Sequence, residues 1–252
     1  MRRRAPLLFG FAIALAACEP SRVELPARML WAWERPEHLG FLAGQRDVGV
    51  VPLVGTVHVD GTQVRGVPRL QPIELPPDVM LLPLVRVEIG VSPAPLDEAQ
   101  ATAVARQIVR LARHVRADAL QLELESRRSE RPFHRRVVAE VRRLVGPRAF
   151  LSMTALGSWC AGDAWLDDLP VDEIVPMLYR LGADGPALRA RVAARDLPAA
   201  ACRHAVGLTS DEPPVAPPPD GWHRRIYAFH PRAWSAQAYT ELLTNPSLRP
   251  KP

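Results

Sequence analysis

The sequence predicts a single (β/α)8 barrel of the TIM type, and three observations predict it. Short apolar, β-rich segments alternate with helical patterns along most of the chain, as in parallel βαβ units. Eight such segments, beginning near residues 29, 48, 80, 118, 150, 173, 204 and 225, share one stretch of about 235 residues, an ordinary length for such a barrel. No glycine-rich phosphate fingerprint follows the first of them, which weakens the dinucleotide-binding form of an open doubly wound sheet, the competing architecture.

The N-terminus is read separately from the barrel. Arg2, Arg3 and Arg4 precede an uncharged apolar run, Ala5 to Ala17, that is too short to span a bilayer comfortably. It ends in Leu15-Ala16-Ala17-Cys18, which resembles the bacterial lipobox. The expectation is a signal peptide over 1–17, cleavage before Cys18, lipid on that thiol, and a tether over 18–28. The alternative is an ordinary signal peptide that contains a cysteine. Glu19, rather than Asp, follows the cysteine, so the expected location is the outer membrane, facing the periplasm.

The barrel domain is expected over 29–245, with a C-terminal tail over 246–252. Residues 29–33 read as the first strand, and 34–43 as a short helix with Pro36 in its first turn. Residues 48–59 alternate and are β-rich, Asp60-Gly61 signals a hairpin, and 64–75 returns as a strand. This hairpin is an insertion near the second strand. Residues 80–89 read as the third strand. Residues 97–115 carry Val104, Ile108, Leu111 and Val115 at helical spacing. The fourth strand, 118–125, precedes a helix over 129–145, capped by Ser129 and stopped by Gly146-Pro147. Strands at 150–156, 173–181, 204–209 and 225–230 follow, with helices at 186–194 and 235–243.

Composition narrows the function classes. The formal charge is +5, but removing Arg2, Arg3 and Arg4 leaves 29 basic against 27 acidic residues, or +2. Lys251 is the single lysine. No dense basic tract and no nucleic-acid motif occurs, so nucleic acid is not an expected partner. Apart from Cys18, the cysteines are Cys160 and Cys202. In an oxidising compartment such a pair reads as a disulfide, contributing roughly 4 kcal/mol by chain entropy; two unpaired buried thiols are the alternative.

Functional side chains of a barrel project from the C-terminal ends of its strands. That rule selects Trp31, Trp33, Glu34 and Arg35 at the first strand, Arg86 and Glu88 at the third, Tyr179 and Arg180 at the sixth, Asp211 and Glu212 after the seventh, and Phe229 and His230 at the eighth. The fourth strand is the most informative. Gln121, Glu123 and Glu125 share one face, and Leu120, Leu122 and Leu124 share the other. With the leucines against helices, two carboxylates point inward, roughly 6.5–7 Å apart along the strand. Such a pair tends to separate its pKa values into a proton donor and an anion, as glycoside hydrolysis requires. A structural ion network with Arg86 is the bland alternative. The tryptophans, Trp159 and Trp165 among them, suit stacking on sugar rings or, as for most tryptophans, core packing. Asp163, Asp167, Asp168 and Asp172 lack EF-hand spacing and suit helix capping, so neither metal nor cofactor is expected.

Two stretches resemble a bacterial family catalogued as domain of unknown function 3142. They are W-A-W-E-R-P-E-H-L, Trp31 to Leu39, and the run from Leu120 through L-Q-L-E-L-E-S, T-A-L-G-S-W-C-A-G-D-A-W-L and L-P-V-D-E-I-V-P-M-L-Y-R-L-G to Gly182. T-S-D-E-P, Thr209 to Pro213, matches as well. The resemblance implies a glycosidase-like TIM barrel whose ring-binding and structural positions are Trp33, Glu34, Arg35, Trp159, Asp163, Trp165 and Asp211. One departure stands out: the family pattern has Asp-x-Asp where this chain has Glu123-Leu124-Glu125. The added methylenes shift a carboxylate by more than an ångström, a displacement to which catalysis is sensitive.

Two functional expectations follow. In one, a periplasmic glycoside hydrolase uses Glu123 or Glu125 as general acid and the other as base, nucleophile or electrostatic stabiliser. Arg35 and Arg86 would then hold acidic or hydroxyl groups of the sugar. In the other, a non-catalytic barrel binds envelope glycans or a protein partner. Carbohydrate and, through the lipid anchor, the membrane are the expected partners.

Overall fold

The computed structural model describes residues 23–115, 117–124, 126–162, 164–194, 196–212 and 225–244. Eight of the described strands form a closed parallel barrel: β1 (Arg28–Ala32), β2 (Val48–Asp60), β3 (Leu84–Ile89), β4 (Ala119–Leu124), β5 (Phe150–Leu156), β6 (Glu173–Met177), β7 (Ala205–Thr209) and β8 (Arg225–Phe229). Each pairs with its sequence neighbour. β1 closes the ring by pairing with both β2 (Trp31 opposite Val51) and β8 (Met29 opposite Tyr227). Parallel strands need crossover connections, and the alternation read from the sequence supplies them.

The helical ring is uneven. α1 (Glu98–Ala112) follows β3 and begins at Asp97, whose carboxylate accepts from Gln100 N–H at 2.8 Å. Its Val104, Ile108 and Leu111 are buried, as their spacing predicts. α2 (Arg131–Val145) follows β4 and buries Phe133, Val137 and Val141. Gly146 ends it at φ +83°, a conformation favouring glycine. α3 (Gly157–Cys160) is one turn, and α4 (Gly185–Ala193) and α5 (Ala236–Thr244) are short. Among the described residues, no helix is long and apolar enough to cross a membrane.

Several boundaries differ from expectation. The helix expected at 34–43 reduces to a two-residue strand, Glu37–His38, and a 3-10 turn, Gly40–Leu42. Its polar residues are drawn into contacts that a helix would forbid: Glu37 N–H donates to the Pro72 carbonyl at 3.1 Å. The return strand covers Gln63–Pro68, with Ile73–Glu74 as a separate piece. Residues 80–89 break at Leu82-Pro83, where Leu82 N–H bonds to Val50 O at 3.0 Å. α2 starts two residues after Ser129. Glu130 holds the N-cap position without a side-chain cap bond, and its carboxylate accepts Arg127 N–H at 2.7 Å at the start of the preceding 3-10 turn, Arg128–Glu130.

The hairpin insertion takes the place of a helix in the second unit. β2 outruns β1 after Pro52, and its upper half pairs antiparallel with Gln63–Pro68, which packs on α1. A register shift between Leu53 and Gly55 inserts one residue opposite β3. Such a bulge reverses side-chain parity. Thus Val51 and Leu53 join the barrel interior, while Val57 and Val59 pack in the outer layer. His58 consequently lies beside Glu88.

The core has two parts. Leu120, Leu122 and Leu124 face outward with Val85, Val87, Leu151, Met153 and the helices. Met29, Trp31, Val51, Leu53, Leu84, Val175 and Tyr227 fill the barrel. The Trp31 indole lies so close to β7 that a Cβ at Gly207 would meet its ring at 2.6 Å. Glycine there leaves the space that the indole occupies.

Candidate functional site

A continuous polar chain crosses the lower barrel and sets the floor. Trp31 Nε1–H donates to Gln121 Oε1 at 2.8 Å, and Gln121 Nε2–H donates to Ser152 Oγ at 3.0 Å. Ser152 Oγ–H donates to Glu173 Oε1 at 3.3 Å, and the Tyr227 hydroxyl donates to the same oxygen at 2.6 Å. Arg225 binds Glu173 Oε2 and also the carbonyls of Leu25 and Pro26 below the barrel. Buried polar groups are tolerable when paired in this way. Burial raises the Tyr227 phenol well above its ordinary value, so it stays protonated and donates. The sequence placed Gln121 on the inward face of β4. It did not reveal that Gln121 is spent on this network.

Glu123 stands one inward step above Gln121. It is half-buried and opposite Arg86 of β3. It lines two depressions at the C-terminal mouth. One, of ≈ 220 Å³, has Trp31, Trp33, Thr154, Met177, Tyr179, Arg180 and Phe229 in its walls. The other, of ≈ 430 Å³, runs over Thr154, Met177 and Leu156 toward Trp159 and Arg127. Three rings form a continuous aromatic wall. Tyr179 stacks on Phe229 with centroids 5.6 Å apart and planes 6° apart, and Trp33 meets Phe229 edge-on at 6.4 Å. Burial, with the Glu123 carboxylate adding to it, pushes the Tyr179 phenol up, so it remains a hydroxyl donor.

The expected site residues divide into three groups. Glu123, Trp31, Trp33 and Tyr179 come together at the mouth. Trp159 contributes only an edge to the larger depression, because its ring is buried against Trp165 (centroids 4.9 Å apart) with the Arg131 guanidinium over both. Trp165 lies 8% exposed in the core and lines neither mouth depression. Both tryptophans thus take the core-packing alternative.

Other expected residues hold the rim. Arg35 donates to His230 O (2.7 Å), Pro231 O (2.6 Å) and Glu37 (3.0 Å), tying the first βα connection to the last. It therefore does not line the mouth depressions. Glu34 is exposed outside them. Arg86 lies 5.9 Å from the Trp33 ring centroid and pairs with Glu88 at 2.9 Å; Glu88 also meets His58 at 3.1 Å. Asp211 accepts from Arg180 at 3.1 Å and from the Thr209 hydroxyl. His230 contacts Ser210 Oγ at 2.5 Å and lies over Trp234. Burial, followed by Arg232 and Arg35, lowers its pKa, so the ring is neutral near pH 7. Cys18, Glu125 and Asp163 lie outside the described residues.

Of the two candidates at the eighth strand, parity selects Phe229, since Tyr227 and Phe229 alternate inward on β8 while His230 lies past its end. Sequence reasoning missed Thr154 and Met177. It also missed Arg69, whose guanidinium gathers the carbonyls of Ala32 (3.1 Å), Trp33 (2.5 Å) and Arg35 and so fixes the backbone that carries Trp33. The expected disulfide is present. Cys160 and Cys202 are bonded, with Cα atoms 5.9 Å apart, joining α3 to the turn before β7. Among the described residues, no group of three or more metal-ligating side chains converges.

No protein-family model and no curated protein matches the chain. A solved structure, the chitinase domain of the spore coat protein CotE from Clostridium difficile, aligns at 13% identity with a TM-score of 0.40. The alignment covers 66% of this chain and 53% of that one, so the chain spans about half the length of its solved neighbour. The barrel assignment rests on the strand pairing itself.

Proposed function

We propose that the barrel mouth binds carbohydrate of the bacterial envelope, in a lipoprotein anchored through Cys18 to the outer membrane and facing the periplasm. The observation that carries the site assignment is the aromatic wall of Trp33, Phe229 and Tyr179 beside Glu123, above a floor closed by paired polar groups. Sugar rings offer apolar C–H faces to aromatic planes and hydroxyls to a carboxylate or phenol, and this wall presents both kinds of partner. The signal sequence and lipobox motivate the location.

Hydrolysis is a second reading, favoured by the place of Glu123 in both depressions. Glycoside hydrolysis uses two carboxyl groups flanking the scissile bond. Glu125 is the partner that the sequence offers for this reading.

Titration calorimetry of residues 19–252 against bacterial envelope polysaccharides tests the binding proposal. A saturable ligand should lose at least ~10-fold in affinity with Trp33→Ala, about 1.4 kcal/mol. Unchanged affinity in that variant, or silence across the whole panel from folded protein, would overturn it. Product release by the wild type, abolished in Glu123→Gln, would establish the second reading.

A further inference from the structure

A third depression, of ≈ 830 Å³, adjoins the mouth and shares Met177, Tyr179 and Arg180 with it. Four arginines line it: Arg128, Arg131, Arg180 and Arg191. Among the described residues, no aspartate or glutamate does. The expected processed chain carries only +2 overall, so this is a local cluster of arginines in a nearly balanced protein, two of them ion-paired at the border with Asp196 and Asp211. Resting on the carbohydrate reading above, we infer that this groove takes the acidic groups of an anionic glycan whose adjoining rings occupy the mouth.

Arg180 and Arg191 are held in place by neighbours, and Arg131 lies over the Trp159 and Trp165 rings. Arg191 donates through Nε to Asp196 at 2.9 Å and through Nη1 to the Ala161 carbonyl, which leaves Nη2 for the groove. Arg180 gives Nη2 to Asp211 at 3.1 Å. Its backbone has φ +52°, an unusual conformation for a residue other than glycine. Glu212 accepts the Arg180 backbone N–H at 3.0 and 3.1 Å, one distance to each carboxylate oxygen, and so supports that conformation. Arg180 consequently stands at the junction of groove and mouth. Arg128 is exposed and has no carboxylate partner among the described residues. A guanidinium offers five N–H donors in a planar fork that matches carboxylate and phosphate oxygens. Leu156, 48% exposed, lies between the groove and the larger mouth depression and supplies an apolar surface for the connecting ring.

The test measures affinities of residues 19–252 for three probes: an oligogalacturonate, a phosphate-substituted oligosaccharide, and a neutral oligosaccharide of equal length. Each is titrated at low and high salt into wild type, Arg128→Glu and Trp33→Ala. The expected result is that one acidic probe binds at least ~10-fold tighter than the neutral one and weakens with salt. Arg128→Glu removes that advantage and leaves the neutral probe's affinity unchanged. The stronger acidic probe identifies the acid as carboxylate or phosphate. Equal binding of acidic and neutral probes, or acidic binding indifferent to Arg128→Glu, overturns the inference; continued sensitivity to Trp33→Ala would then leave the carbohydrate reading standing. Acidic binding that depends on Arg128 but not on Trp33 overturns the continuous groove-to-mouth path and the mouth reading, leaving an anion site alone. No binding of any probe overturns the inference.

Discussion

The lower interior of the barrel and its mouth contain the same chemical groups put to opposite uses. Glu173 and Glu123 are both glutamates on inward faces of strands. Glu173 is 3% exposed, and Arg225, Tyr227 and Ser152 together satisfy its oxygens. Glu123 is half-buried and lines two open depressions. Tyr227 and Tyr179 repeat the contrast, one donating to a carboxylate and the other forming a ligand-sized wall. So do the arginines: Arg35, Arg69 and Arg225 collect backbone carbonyls, while Arg128, Arg180 and Arg191 border a groove. Residue type therefore does not mark function in this barrel. The height of a group along its strand, and whether it opens onto a depression, does.

The contrast is broken most severely from below. Glu173→Ala leaves the Arg225 guanidinium without its carboxylate and removes the acceptor of the Tyr227 hydroxyl. Removing one partner of a buried ion pair costs about 3–5 kcal/mol. Urea denaturation should show a loss of that size. A change below about 1 kcal/mol would mean that the lower network is not a structural floor.

The disulfide gives the next effect. Cys160 follows Trp159 in α3, beside residues that line the arginine groove, and Cys202 precedes β7. Opening it by Cys160→Ser with Cys202→Ser should cost roughly 2–4 kcal/mol, read as a lower urea midpoint. Affinity for an acidic probe should fall as well, because the bond anchors one wall of the groove. A third structural group lies behind β4. His134 on α2 is fully buried, and neither ring nitrogen has a hydrogen-bond partner among the described residues. Burial lowers its pKa from 6.5 to about 4. The unfolded chain therefore binds a proton more readily, and stability is fully present above pH 6.5 and lost as pH falls toward 4. The loss approaches about 3 kcal/mol at the acid end of that window. His134→Leu should flatten that part of the pH profile. An unaltered slope would assign it to other groups.

How much of this was legible before the structure follows from the kind of information each feature needs. Strand alternation is local, so the barrel, the inward face of Gln121 and Glu123, and the hairpin at Asp60-Gly61 could be read directly. Parity across the Leu53–Gly55 bulge could not, because one inserted residue reverses every side chain beyond it. That reversal brings His58 to Glu88. The helix expected at 34–43 failed for a related reason. Glu37 is 0% exposed and binds Arg35 two residues before it and the Trp234 N–H, in a loop nearly two hundred residues away in sequence. Trp159 and Trp165 were legible as aromatic residues near strand ends. Their burial against each other depends on Arg131 of α2, which no local pattern announces. The disulfide was legible as one of two alternatives because the cysteines were few.

The sharpest form of the comparison is the smallest expected change in stability. Glu123→Gln keeps the size and hydrogen-bonding reach of the side chain and removes its charge. Glu123 sits at a solvent-filled mouth beside Arg86 and Tyr179, where water screens interactions between charges and can solvate what is left behind. The variant should unfold within about 1 kcal/mol of wild type, far less than Glu173→Ala, although both residues are inward-facing glutamates. Its effect should appear instead with ligand present. Glycans that stabilise the wild type against heat should stabilise the variant less, since a ligand raises stability only in proportion to its affinity for the folded state. A Glu123→Gln protein as damaged as Glu173→Ala in the absence of ligand would make the mouth a continuation of the structural network. A variant unaltered both with and without glycan would remove Glu123 from the site and leave the aromatic wall to carry recognition.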